Sequence, residues 1–180
     1  SSKSWMHNVS TALEYNINEK NHLNVAYTGS FTPDGHNRSI ADGSFQQSSL
    51  DKFTDNKMNN ITVLYSSGIG LEVGGDYTRY TSDNNQTMFT QLSDKNKSSY
   101  TLTGGQRIDR YSIYADQKHN LTNNWGIGYG VAYRYAKDYD FQTYNNVTGN
   151  IQTENTEAKL NEQTASFYFS LNKNWATGTS

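Results

Sequence analysis

The sequence predicts an all-β chain, an antiparallel up-and-down meander of about 7 to 8 strands. Three observations predict it. Apolar and aromatic residues recur at every second position, short polar turns join these runs in pairs, and longer polar stretches separate the pairs. A period of two sorts one face of a strand from the other, whereas a helix would scatter the same residues around its axis.

The first run is HNVSTALEYNI (7–17), with Val9, Thr11, Leu13, Tyr15 and Ile17 on one face and Asn8, Ser10, Ala12, Glu14 and Asn16 on the other. The polar turn NEKN (18–21) leads to HLNVAYTGSF (22–31), where Leu23, Val25, Tyr27 and Phe31 alternate with small or polar residues. These two form a hairpin. Residues 33–57, from Pro33 onward, are rich in turn formers without sustained periodicity and read as a long loop. ITVLY (61–65) and IGLEVGGDYTRY (69–80) form a second hairpin with its turn at 66–68, placing Val73 and Tyr77 opposite Glu72 and Asp76. The next polar stretch, 81–105, reads as another loop, with a protruding hairpin whose apex lies near SDKN (93–96). RYSIYADQKHNL (110–121) and NWGIGYGVAYRY (124–135) make the third hairpin, turning through 122–124. A polar segment, 144–162, precedes the last run, TASFYFSLN, in which Ala165, Phe167, Phe169 and Leu171 share a face.

Composition narrows the classes of function. The 180 residues are only 33% hydrophobic, yet 14 Tyr, 7 Phe and 3 Trp argue for a folded chain in which amphipathic rings have a purpose. A net charge of -2, with both signs mixed along the chain, leaves no basic stripe for nucleic acid. The absence of cysteine removes disulfides and thiol chemistry. No apolar run approaches the roughly 18 residues of a membrane-spanning helix, and no signal peptide opens the chain.

Short turns at one end and long loops at the other are the habit of transmembrane barrels, whose strands have one face in lipid and the other toward a polar interior. The strands are also long enough to cross a bilayer at a tilt. On this basis Leu13, Tyr15, Val25, Tyr27, Val73, Tyr77, Ile113, Tyr129, Val131, Tyr133, Phe167 and Phe169 are expected to face lipid. Glu14, Glu72, Asp76, Arg110, Asp116, Lys118 and Arg134 are expected to face the lumen. Trp125 and Trp175 fall beside short-turn ends, and Trp5, Tyr80, Tyr139, Phe141 and Tyr144 beside long-loop ends, where rings with one wet edge favour the headgroup region.

ALEYNINEKNHLNVAYTGSF, RYSIYADQKHNLTNNWGIGYGVAYRYAKDYD and ASFYFSLNKNW each resemble the strand, short polar turn, strand units of the β-barrel domain of TonB-dependent outer-membrane receptors. The likeness covers nearly the whole chain through diffuse patterns rather than a catalytic signature. It implies residence in the outer membrane of a Gram-negative cell and contact with outer-membrane lipid. It also implies a porin-like transport role, taking up a nutrient such as an iron chelate, cobalamin, glycan or peptide. Such receptors are similar to one another in having a 22-strand barrel, a plug domain and a segment that contacts the TonB system. Neither plug nor contact segment is visible in residues 1–180, which therefore read as a single internal segment of a larger transmembrane β-barrel. An odd strand count and the need to pair every edge in lipid point the same way.

The alternative is a secreted soluble β-sandwich acting as a glycan-binding or adhesin module, its greasy face forming a core and its aromatics stacking on sugars. The residues mark no catalytic site and no cofactor. His7, His22, His36 and His119 lack zinc-site spacing, and PDGHNRSIADGS lacks the alternating oxygen ligands of a calcium loop. GIGYG and the GG pairs at 74–75 and 104–105 have no following helix to bind phosphate, and read as positions that keep one face small. Sequons such as those at 37–39 and 120–122 are expected by chance in so asparagine-rich a chain.

Overall fold

Backbone pairing organises this molecule. The computed structural model describes residues 2–92, 96–121 and 124–173. Its strands are β1 (Ser2–Lys3), β2 (His7–Asn18), β3 (Asn21–Asp42), β4 (Gln46–Ser67), β5 (Leu71–Leu92), β6 (Lys97–Asn120), β7 (Trp125–Thr148) and β8 (Thr156–Lys173). They form one antiparallel sheet in which β3 to β8 follow chain order, with β1 and β2 end to end along the same side of β3. Among the described residues β8 and the β1–β2 line are the two edges.

The regions read as long loops are instead strand. Residues 33–57 and 81–105 lie almost wholly in β3 to β6, and 136–148 continue β7. Central strands therefore run 22 to 24 residues, reaching about 70–80 Å at roughly 3.3 Å per residue. Their outer halves hide from a hydrophobicity pattern because both faces are polar; Ser48, Asp51, Asn84 and Asn85 pair through the backbone without giving a period of two. One long end closes with a tight connection at 43–45, and at another the Leu92 N–H donates to the Asn96 carbonyl at 3.0 Å. A longer connection spans 149–155. The expected apex at 93–96 lies, but for Asn96, outside the described residues.

Two local features explain departures from a regular ladder. Pro33 and Asp34 fall at a bulge in β3, where the register shifts between Thr32 and Gly35 and Asp34 takes φ 52°. Proline has no N–H to give, and the break between β1 and β2 faces this point. The β4–β5 turn lies at 68–70, two residues beyond its expected place. There Gly70 adopts φ 83°, a left-handed conformation open to glycine, and its N–H reaches the Ser67 carbonyl at 3.0 Å.

The sheet is a single layer. Each strand contacts only its ladder neighbours among the described residues, and no hydrophobic side chain there is buried. The buried positions are glycines, among them Gly74, Gly128 and Gly130, covered by side chains from adjacent strands.

Candidate functional site

Residues directly opposite in a ladder project from the same face, so register sorts the whole sheet into two surfaces. One row runs Tyr15, Leu23, Tyr65, Val73, Ala115, Val131, Phe167. The next runs Leu13, Val25, Val63, Gly75, Ile113, Tyr133, Ala165. Both rows are apolar from edge to edge. Every residue expected to face lipid lies on this one surface, with Tyr129 paired to Phe169 toward the short-turn end. Phe167 is 70% exposed and Val131 54%, so the surface has no covering layer.

Tyrosines bound this apolar band on both sides. Toward the long ends a row runs Thr11, Tyr27, Ile61, Tyr77, Tyr111, Tyr135, Gln163. The Tyr77 and Tyr111 rings stack at 4.7 Å, and Tyr135 lies 6.1 Å beyond. Their hydroxyls point away from the band: Tyr27 donates to Asn59 at 2.8 Å, Tyr77 to Asp109 at 2.7 Å and Tyr135 to Asn161 at 3.4 Å. At the other side the direction reverses. Tyr65 donates to Asn21 at 2.9 Å, and the Tyr129 hydroxyl meets His119 Nε2 at 3.2 Å. Beyond them Trp125 lies under the Lys173 ammonium, 4.9 Å from the ring centre. From Trp125 to Tyr135 the strand covers about 33 Å.

The opposite surface carries Glu14, Glu72, Asp76, Arg110, Asp116, Lys118 and Arg134 together. Asp76, Arg110, Arg134 and Glu162 border a depression of about 510 Å³. Nearer the short turns Glu72 and Asp116 are directly opposed, a like-charge pairing that costs stability unless a donor relieves it. Tyr168 supplies one, its hydroxyl donating to Asp116 Oδ1 at 2.8 Å.

Two glycines make this arrangement possible. A Cβ on Gly130 would collide with Asp116 and the Tyr168 ring, and one on Gly74 with the Tyr114 ring. Gly130 of NWGIGYG thus admits Tyr168, and Gly74 of β5 admits Tyr114, each an aromatic cover from a neighbouring strand. Sequence reasoning missed Tyr114 and Tyr168, since most tyrosines of these runs, such as Tyr77, Tyr111, Tyr129 and Tyr133, fall on the apolar surface. The signal available was their even-numbered phase against odd-numbered neighbours.

Of the boundary aromatics, Trp125, Tyr139 and Phe141 share the apolar surface, whereas Tyr80 and Tyr144 lie on the polar one. Trp5 stands between β1 and β2, about 20 Å along the strand from the tyrosine row. Trp175 lies outside the described residues. Among the described residues no three acidic or imidazole groups gather as a metal site, and no helix is long and apolar enough to cross a membrane.

Comparison with protein-family models gave no match, and comparison with curated proteins gave none.

Proposed function

We propose that this chain forms part of the wall of an outer-membrane β-barrel receptor that takes up a nutrient with energy from the TonB system. The observation that carries the membrane half is the row pattern: an exposed apolar band flanked on both sides by tyrosines whose hydroxyls point away from it. At the tilt near 40° of a membrane barrel, the ~33 Å of strand from Trp125 to Tyr135 would stand roughly 25 Å tall. A soluble surface rarely leaves so large an apolar patch uncovered. A sandwich would need a second layer over Val131 and Phe167, and the described sheet is one layer. In the barrel the apolar surface meets lipid, and the charged surface around Asp76, Arg110 and Arg134 lines the lumen, where a plug and a hydrated solute would pass.

The receptor half rests on the resemblance of the quoted strand and turn units. Long paired hairpins at one end suit capture of a ligand outside the cell. Iron chelates, cobalamin, glycans and peptides are all compatible with a polar lumen.

Site-directed labelling in bilayers tests the wall. Single cysteines at Val131 and Phe169 are expected to react with a lipid-phase probe, and cysteines at Gly130 and Ser166 with an aqueous one. The reverse pattern would sink the barrel assignment. Uptake of labelled candidate nutrients by cells with and without TonB tests the receptor role, which fails if uptake is indifferent to both TonB and the protein.

A further inference from the structure

Directly beyond the outward tyrosine row, on the apolar surface, cations concentrate. The first row holds Arg79 and Lys137 on either side of Asp109, and the second holds Lys57, Arg107 and Lys159. Carboxylates return in the third, with Asp55, Asp83 and Glu157. Arg79 lies 3.9 Å from Asp109, Lys57 is paired with Asp55, and Lys159 with Glu157. Arg107 and Lys137 have no ion-pair partner among the described residues.

Shape accompanies the charge. A depression of about 320 Å³ opens among Arg79, Arg107, Lys137 and Lys159, with Asp109 and Tyr139 completing its lining. Lys159 sits over the Tyr139 ring at 5.3 Å. On the same surface, back across the tyrosine row, an apolar depression of about 490 Å³ lies among Ile113, Ala115, Val131, Tyr133, Ala165 and Phe167. At the tilt used above, the two cationic rows stand about 5 and 10 Å from the tyrosine row. A headgroup layer adds roughly 5–8 Å to each side of the hydrocarbon.

We infer that Arg79, Arg107, Lys137 and Lys159 bind the phosphate of an anionic, phosphorylated lipid in the outer leaflet, its acyl chains lying on the apolar band. Guanidinium groups give phosphate paired hydrogen bonds, lysines give point charges, and the unpaired Arg107 and Lys137 supply the net attraction. Continuity with an acyl-sized apolar depression favours a lipid over a soluble anion. The inference rests on the barrel assignment.

The test uses the intact outer-membrane protein that carries this segment, folded in vesicles of phosphatidylcholine with or without a phosphorylated anionic lipid, followed by detergent extraction and mass measurement of retained lipid. Wild type is expected to retain the anionic lipid preferentially. Arg107→Gln with Lys137→Gln should lower that preference roughly tenfold, at about 1 kcal/mol or somewhat less per cation. Arg110→Gln with Arg134→Gln, removing the same charge from the other surface, should leave it unchanged. Equal preference in all three proteins, or equal loss in both variants, overturns the headgroup site while leaving the barrel intact. Failure of the intact protein that carries this segment to insert into either vesicle overturns the barrel and the site with it. Inorganic phosphate that binds wild type in a zwitterionic detergent, and is lost in the Arg107 and Lys137 variant, would reassign the site to a soluble anion.

Discussion

Tyr77 donates its hydroxyl to Asp109 Oδ1 at 2.7 Å, reaching two residues past its own cross-strand partner Tyr111. The ring stays stacked on Tyr111 at the edge of the apolar band while the oxygen enters the first charged row. Tyr77→Phe keeps the ring and deletes this bond to a charged acceptor. It is expected to cost about 1–2 kcal/mol, read as a lower urea midpoint for unfolding from vesicles. Combined with Asp109→Asn, the loss should fall short of the sum of the single losses. An unchanged midpoint in Tyr77→Phe would show the hydroxyl contributes nothing.

Val131 and Ala132 are chain neighbours on opposite surfaces, so the same substitution at each isolates the surroundings from the local backbone. Val131→Arg is expected to cost about 2–4 kcal/mol near the middle of the bilayer, and Ala132→Arg much less. Equal costs in the vesicle-unfolding experiment would mean the two surfaces meet the same medium.

Gly130 lies beneath Tyr168 and Asp116, and any side chain there must displace them. Gly130→Leu should destabilise by about 1–3 kcal/mol through this crowding. In a background with both Asp116→Ala and Tyr168→Ala, where the space is already open, most of that cost should vanish. A Gly130→Leu penalty that survives intact would place its origin elsewhere.

The β8 edge gives a test of barrel closure. In the membrane-folded protein, amides of β8 that do not bond to β7 are expected to resist hydrogen exchange as strongly as those inside β6, because lipid tolerates no unpaired edge. Rapid exchange along that edge would mean the sheet stays open.

How far the sequence could be read follows from what produces a pattern. The inner half of each strand was legible because Val131, Tyr133, Phe167 and Phe169 keep one phase while glycines and charges keep the other. The outer half was not, since residues such as Ser48, Gln86 and Thr101 pair by backbone bonds and put polar groups on both surfaces. Pro33 looked like the end of a strand and proved to be a bulge within one, tolerated because its neighbour on that side is interrupted. The charged residues of the polar surface could be placed by phase alone. The cationic rows could not, because Arg79, Arg107 and Lys159 come from three strands and only register aligns them.

Stretches expected to be loops are paired arms, and that changes how the outer end could evolve. A long free loop recognises by moulding itself, and every residue in it shares in the fit. Paired arms stand the connections at 43–45 and 149–155 roughly 45–50 Å along β3 and β7 beyond the tyrosine row, held by ladders on either side. Sequence drift at those tips disturbs neither the register below nor the apolar band. In the proposed barrel they would also be what an antibody or phage meets first, so escape could be had by exchanging a few tip residues while the wall beneath is inherited unchanged.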